Sequence, residues 1–186
     1  MLVAVPLAAS MLLAGCSADA KPGASSSSTS TSSPTTTVVP TSTASPTTDP
    51  NIPVAARAHT PAGAEAFVRY FFAQVNLAWT APNTGALPRL CTASSKSCAS
   101  FEATAVQLKA AGNHYDGLPV TTLSITALDA PGGRQSVLYK GRQEKRNVVD
   151  TAGRVISTDV QKVVSFEAAL DWTPDAWRVF TIKGTT

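Results

Sequence analysis

Charge is scarce in this sequence. Only 15% of its 186 residues are Asp, Glu, Lys or Arg, the formal net charge is +3, and the basic residues form no concentrated stripe. Recognition of nucleic acid starts from Lys and Arg clustered on one face, so no nucleic-acid partner is expected. Histidine is scarcer still, with His59 and His114 the only two. A zinc site calls for three or four ligands at tight spacing, and no such set exists, so neither a metal nor another cofactor is expected. Aromatic residues make up 6% of the chain. Cysteine occurs three times, an odd number that in an exported protein leaves one thiol to be explained.

The N-terminus supplies the explanation. Residues 2–15 (LVAVPLAASMLLAG) carry no charge and read as the apolar core of a signal peptide. They fall short of the about 20 apolar residues that a membrane-crossing helix needs. The stretch ends in Leu13-Ala14-Gly15-Cys16, which resembles a lipobox. Small residues before the cysteine admit the peptide to the signal-peptidase groove, and the thiol accepts a diacylglyceryl group. Two acyl chains hold a protein stably, at about 0.8 kcal/mol per buried methylene. The expected address is therefore the outer face of the cytoplasmic membrane, with Cys16 as the lipid anchor. No Lys or Arg precedes the apolar stretch, so a basic region is expected upstream of position 1.

Residues 16–50 read as the lipidated cysteine and a tether. From 25 to 50 the chain has nine Ser, nine Thr and four Pro, with Asp49 the only charge. Such a segment has no apolar surface to offset the entropy of ordering and is expected to stay disordered. As a flexible coil residues 17–50 span roughly 30 Å, and as extended polyproline II about 100 Å. Its composition also suits O-glycosylation, with a plain spacer as the equal alternative.

Residues 51–186 carry the pattern of a single domain. Thr60-Pro61 opens a helix with a hydroxyl N-cap and a proline at the first helical position. Phe67, Phe71, Val75 and Ala78 then recur at helical spacing, with Val68, Phe72 and Trp79 beside them. Residues 83–90 read as a short helix or turn. A second helix is predicted over 97–111, with Phe101, Ala105 and Leu108 on one face and Gly112 as its stop. Strands follow: 120–126; then, after a turn at Pro131-Gly132-Gly133, a strand from 136 continuing to 149. After a hairpin turn at 150–153, a long strand places Val160, Val164, Phe166, Ala168, Leu170 and Trp172 on one side. Pro174-Asp175 turns the chain into a closing strand over 177–182. Helices followed by hairpin-linked strands spell α+β, with N-terminal helices packed on one face of a curved antiparallel sheet. That order resembles the cone-shaped folds of the nuclear-transport-factor type.

The Leu-Ala-Gly-Cys anchor, the Ser/Thr/Pro tether, the run Ile52-Pro53-Val54-Ala55-Ala56-Arg57-Ala58-His59-Thr60 and the helix opening Gly63-Ala64-Glu65-Ala66-Phe67-Val68-Arg69-Tyr70-Phe71 together resemble an uncharacterised family of actinobacterial lipoproteins, domain of unknown function 6318. The resemblance extends to the closing Trp177-Arg178-Val179 strand. It departs at Cys91 and Cys98, which are closer together in the family pattern. The resemblance implies fold and location and no activity.

Cys91 and Cys98 lie between the two predicted helices, outside the membrane, where disulfides persist. Closing their eight-residue loop stabilises the fold by about 2.5 kcal/mol in the chain-entropy model. In a cone-shaped fold His114, Tyr115 and Asp116 are candidates for a pocket or its rim, where a His beside a carboxylate can do acid–base work. Their neighbours Asn113 and Gly117 are turn-formers, so a polar loop without catalysis is the favoured reading. Lys140, Arg142, Lys145 and Arg146 form the one basic cluster, interrupted by Glu144. It offers contact to anionic wall polymers or lipid headgroups, although a charged hairpin edge guarded against mispairing explains it as well. Tyr70, Trp79 and Trp172 are candidates for a pocket lining, although large aromatics at these spacings usually belong to the core. The leading functional expectation is a non-enzymatic module of the cell envelope that binds a wall polymer or an envelope protein. A carrier of a small apolar ligand in a cone-shaped pocket is the alternative, favoured by a buried apolar cavity of several hundred Å³. An enzyme would need Asp116 or Glu102 directed into a cavity beside a second polar group.

Overall fold

The computed structural model describes residues 51–128 and 133–185, all within the unit Thr43–Thr186. The signal peptide, Cys16, the tether and the Pro131-Gly132 part of the predicted turn lie outside the described residues.

Helix α1 (Pro61–Thr80) starts as its sequence dictates. Thr60 is extended, and its Oγ1 accepts a hydrogen bond from the Gly63 amide at 3.0 Å. The segment before the helix folds back so closely that a Cβ on Gly63 would overlap the Ala58 carbonyl oxygen. Phe67, Val68, Phe71, Phe72, Val75 and Ala78 form the buried face. Helix α2 (Lys96–Ala111) buries less, chiefly Cys98, Ala105 and Leu108, and ends at Gly112 in the left-handed region (φ 65°). What helix α2 lacks in apolar surface is made up by tethers. The Cys91–Cys98 disulfide closes its first turn onto the 3-10 turn Leu87–Leu90. Thr92 N donates to Val179 O at 3.0 Å, and the Ile182 amide donates to Ser97 Oγ at 2.9 Å.

Seven strands follow: β1 (His114–Tyr115), β2 (Val120–Ala127), β3 (Gln135–Gln143), β4 (Asn147–Val149), β5 (Val155–Thr158), β6 (Lys162–Trp172) and β7 (Trp177–Gly184). Four make an antiparallel sheet in the order β2-β3-β6-β7, and three make a second, β1-β4-β5. Register shifts at Thr122/Ser124 and at Ala169/Leu170 bend the larger sheet, as an extra residue in one strand does. Helix α1 crosses this sheet and also ties down its open edge. Asn76 both donates to Val120 O (2.8 Å) and accepts from Val120 N (3.0 Å), and Glu65 Oε1 accepts from the Ala127 amide at 2.7 Å. Side chains of the helix thus occupy backbone positions at both ends of β2, where unpaired edge groups would otherwise stand open.

Tyr139 sits at the centre of the core, only 1% exposed. Its ring stacks on Phe72 at 3.8 Å and shares its hydroxyl hydrogen bond with Thr122 at 3.3 Å. The ring also lies over Gly141, where an added Cβ would stand 2.6 Å from Tyr139 Cε1. Trp177, also buried, donates from Nε1 to Ala58 O at 2.9 Å and packs with Trp172 and His59, whose ring stacks on Trp172 at 4.4 Å.

Two strand expectations are corrected. The strand predicted from 136 to 149 breaks at residues 144–146: the Glu144 amide makes the last bond of the β2–β3 ladder, to Pro119 O at 2.8 Å, and Pro119 has no N–H with which to extend it. β4 then pairs with β1 and β5 in the second sheet. The long strand predicted from 160 begins only at Lys162, and Val160, assigned to its inner side, is 77% exposed. There the Asp159 amide donates to Arg146 O at 2.8 Å, holding the link as it passes from one sheet to the other. Gly153 (φ 77°) makes the predicted hairpin turn between β4 and β5, and Asp150 accepts from the amides of Ala152 and Arg154.

Candidate ligand cleft

Where the two sheets diverge, the core does not close. A cleft of about 290 Å³ lies between α1, α2 and the facing strands. Its walls are aromatic: Phe72 and Trp79 from α1, Phe101 from α2, Tyr115 from β1 and Phe166 from β6. Phe72 is buried, whereas the other four rings keep part of their surface accessible. The rings brace one another, Trp79 lying 5.9 Å from Phe101 and 6.0 Å from Tyr115 between centroids. Trp79 is also held in plane, its Nε1 donating to Phe101 O at 3.1 Å.

The polar groups gather at one side. Tyr115 Oη and Gln143 Nε2 both donate to Asp159 Oδ2, each at 2.9 Å. The other carboxylate oxygen, Oδ1, accepts no hydrogen bond from a described residue. Burial pushes the Tyr115 hydroxyl up to about 12, and the hydrogen bond to Asp159 and that group's charge push the same way. Tyr115 is therefore a neutral donor over the whole physiological range.

Of the three residues singled out from the sequence, only Tyr115 lines the cleft. His114 pairs in register with Val149, one position along the strand from Tyr115, and strand neighbours point to opposite faces. Asp116 is exposed and turned to the second sheet, where it accepts from Asn147 N (3.2 Å) and Asn147 Nδ2 (2.8 Å). The structure thus does not bring His114 and Asp116 together at this cleft. Glu102 accepts from the Gly85 amide at 2.5 Å, and its Oε2 is buried without a partner. It borders a different and larger groove of about 510 Å³, on the flank of α2 beside the disulfide. That groove is bounded largely by short side chains and exposed helix surface, and no aromatic ring lines it.

Two of the four residues of the basic cluster have partners. Arg142 meets Glu144 at 2.9 Å, and Arg146 donates to Leu118 O at 3.3 Å. Hydrogen bonds from Thr121, Arg142 and Gln161 hold the Glu144 carboxyl below its usual range. Among the described residues, no three His, Cys, Asp or Glu side chains converge as metal ligands. No helix among them is long and apolar enough to cross a membrane.

A family model described as a family of unknown function (DUF6318) matches residues 37–183. No curated protein matches the sequence. Among solved structures, the chain is similar to the intermembrane-space region of the chloroplast protein ARC6, with a TM-score of 0.53 and 16% identity over 69% of this chain and 98% of that one. It is less similar to the β subunit of benzoate 1,2-dioxygenase from Burkholderia mallei, with a TM-score of 0.47 and 10% identity over 69% of this chain and 91% of that one. The likeness to ARC6 concerns fold alone, and the fold is an α+β cone of the nuclear-transport-factor type.

Proposed function

The chain belongs to DUF6318, a family of unknown function, and we propose that it is an exported, lipid-anchored binding domain that holds a small ligand in the aromatic cleft without transforming it. The observation that carries this reading is the cleft itself. Four partly accessible aromatic rings around about 290 Å³ expose apolar surface that a filled core would have buried. Ligand sites take this form, apolar walls with a few fixed polar groups, and about this size. A binding role is favoured over catalysis because the cleft's titratable side chains, Tyr115 and Asp159, are bonded to each other. The anchor at Cys16 rests on the Leu13-Ala14-Gly15-Cys16 sequence. The Cys91–Cys98 disulfide supports an oxidising location.

Titration of the protein with small aromatics such as indole, followed by the Trp79 indole N–H resonance, tests the site. Saturable shifts are expected in the native chain and none in Thr104→Trp, which fills the cleft from α2. Equal binding by both would move the site elsewhere.

A second reading, docking of an envelope protein or wall polymer, has its own observation. The edge strand β5 and the link after it expose Val155 (58%), Ile156 (55%) and Val160 (77%). Crosslinking in intact cells that is abolished by Ile156→Lys but unaffected by Thr104→Trp would favour it.

A further inference from the structure

We propose that the cleft selects a small organic cation, an ammonium ligand, over neutral or anionic molecules of the same shape. This rests on the cleft being the binding site and adds the charge of what enters it. Asp159 is the one charged residue among those lining the cleft, and no Lys, Arg or His lines it. The rest of the wall is dominated by aromatic faces, which carry negative charge at their centres. Such faces attract cations, with Trp the strongest.

The carboxylate is arranged to match. Tyr115 and Gln143 occupy Oδ2, fixing the orientation of the group, while Oδ1 has no partner among the described residues. A carboxylate oxygen left in this way draws a cation by its charge, whether or not that cation carries an N–H. An ammonium group beside Oδ1 can point its alkyl or aromatic body toward Trp79 and Phe101. An anion would face both Asp159 and the ring centres, and a neutral body would leave the carboxylate oxygen to water. The walls need little rearrangement to bind, since Trp79 and Tyr115 are already held by hydrogen bonds to Phe101 O and Asp159, and preorganised groups lose little freedom on association.

The test uses the full-length chain and three benzyl probes: benzyltrimethylammonium, its uncharged carbon isostere neopentylbenzene, and the smaller anion phenylacetate. Binding is read from the Trp79 indole N–H resonance. Benzyltrimethylammonium is expected to bind about tenfold more tightly than neopentylbenzene, with no binding of phenylacetate; a cation held over aromatic faces and shielded from water gains about that factor. Asp159→Asn is expected to erase the preference and leave the weak binding of the isostere. The comparison between isosteres on the native chain stands even if that variant folds poorly. Equal or tighter binding of neopentylbenzene or phenylacetate at Trp79 would overturn the cation proposal while leaving the cleft as a site. Saturable binding of the probes with no response at Trp79, or no binding of any probe, would overturn the cleft reading itself.

Discussion

At the scale of single residues, the groups that position the cleft are polar ones. Asn76 offers β2 the donor and acceptor that a neighbouring strand would have supplied, and it does so at Val120, on the cleft wall. Replacing it by Ala strands one backbone donor and one acceptor, at a cost of about 1–3 kcal/mol. Chemical denaturation of Asn76→Ala is expected to show that loss together with weaker ligand binding. Tyr115 has a signature in pH. Its folded pKa is raised, to about 12 from 10.0, so the neutral phenol is favoured by the native state. The associated stability is fully present below pH 10 and is lost as pH rises toward 12. Stability curves of the native chain and Tyr115→Phe are therefore expected to run parallel below pH 10 and to converge above it. Parallel curves throughout would show that Tyr115 is not held as described. Tyr115 was within reach of sequence reading because it sits in a polar turn before a strand. Gln143, Asp159 and Thr104 were not, since nothing local marks them and only the pairing of two sheets brings them together.

At the scale of elements, strong periods and strong punctuation were legible. Thr60-Pro61 and Gly112 bound the helices as their chemistry requires, and the spacing of Phe67, Phe71 and Val75 chose the buried face. The division into two sheets was illegible. It depends on where the ladders end, at the Glu144–Pro119 bond of one sheet and the Asp159–Arg146 bond of the other, and alternation along a strand does not reveal those ends. The same limit concealed how α2 is held, for its apolar face is weak and its disulfide and contacts to β7 carry the attachment. Reduction, or the double change of Cys91 and Cys98 to Ser, is expected to lower stability by about 2.5 kcal/mol. Urea midpoints at equal slope would measure it, and an unchanged midpoint would mean that α2 docks without the bridge. On β3, Gly141→Ala presses a methyl group on the Tyr139 ring and is expected to cost about 1–3 kcal/mol through overpacking. Gly184→Ala, which meets nothing within 4 Å, is the control and is expected to be close to neutral by the same melt.

At the scale of the whole molecule, we propose that an anchor and a spacer present a cone with an open mouth outside the membrane. The anchor has a direct consequence: Cys16→Ala is expected to abolish incorporation of labelled fatty acid, with no change in the folded domain. Undiminished labelling would contradict lipidation at that residue. The division of labour is physical. In this proposal the tether sets reach, while the larger sheet and α1 frame the cleft, and the second sheet and the link after it add Tyr115 and Asp159 to its wall. The central claim is that this opening holds a small molecule. Native mass spectrometry of the full-length protein taken from its own membranes, set against its denatured mass, tests that claim most directly. The expected result is a noncovalent small-molecule mass that denaturation removes and that Thr104→Trp does not retain. A native mass equal to that of the denatured chain, or an adduct indifferent to Thr104→Trp, would contradict it.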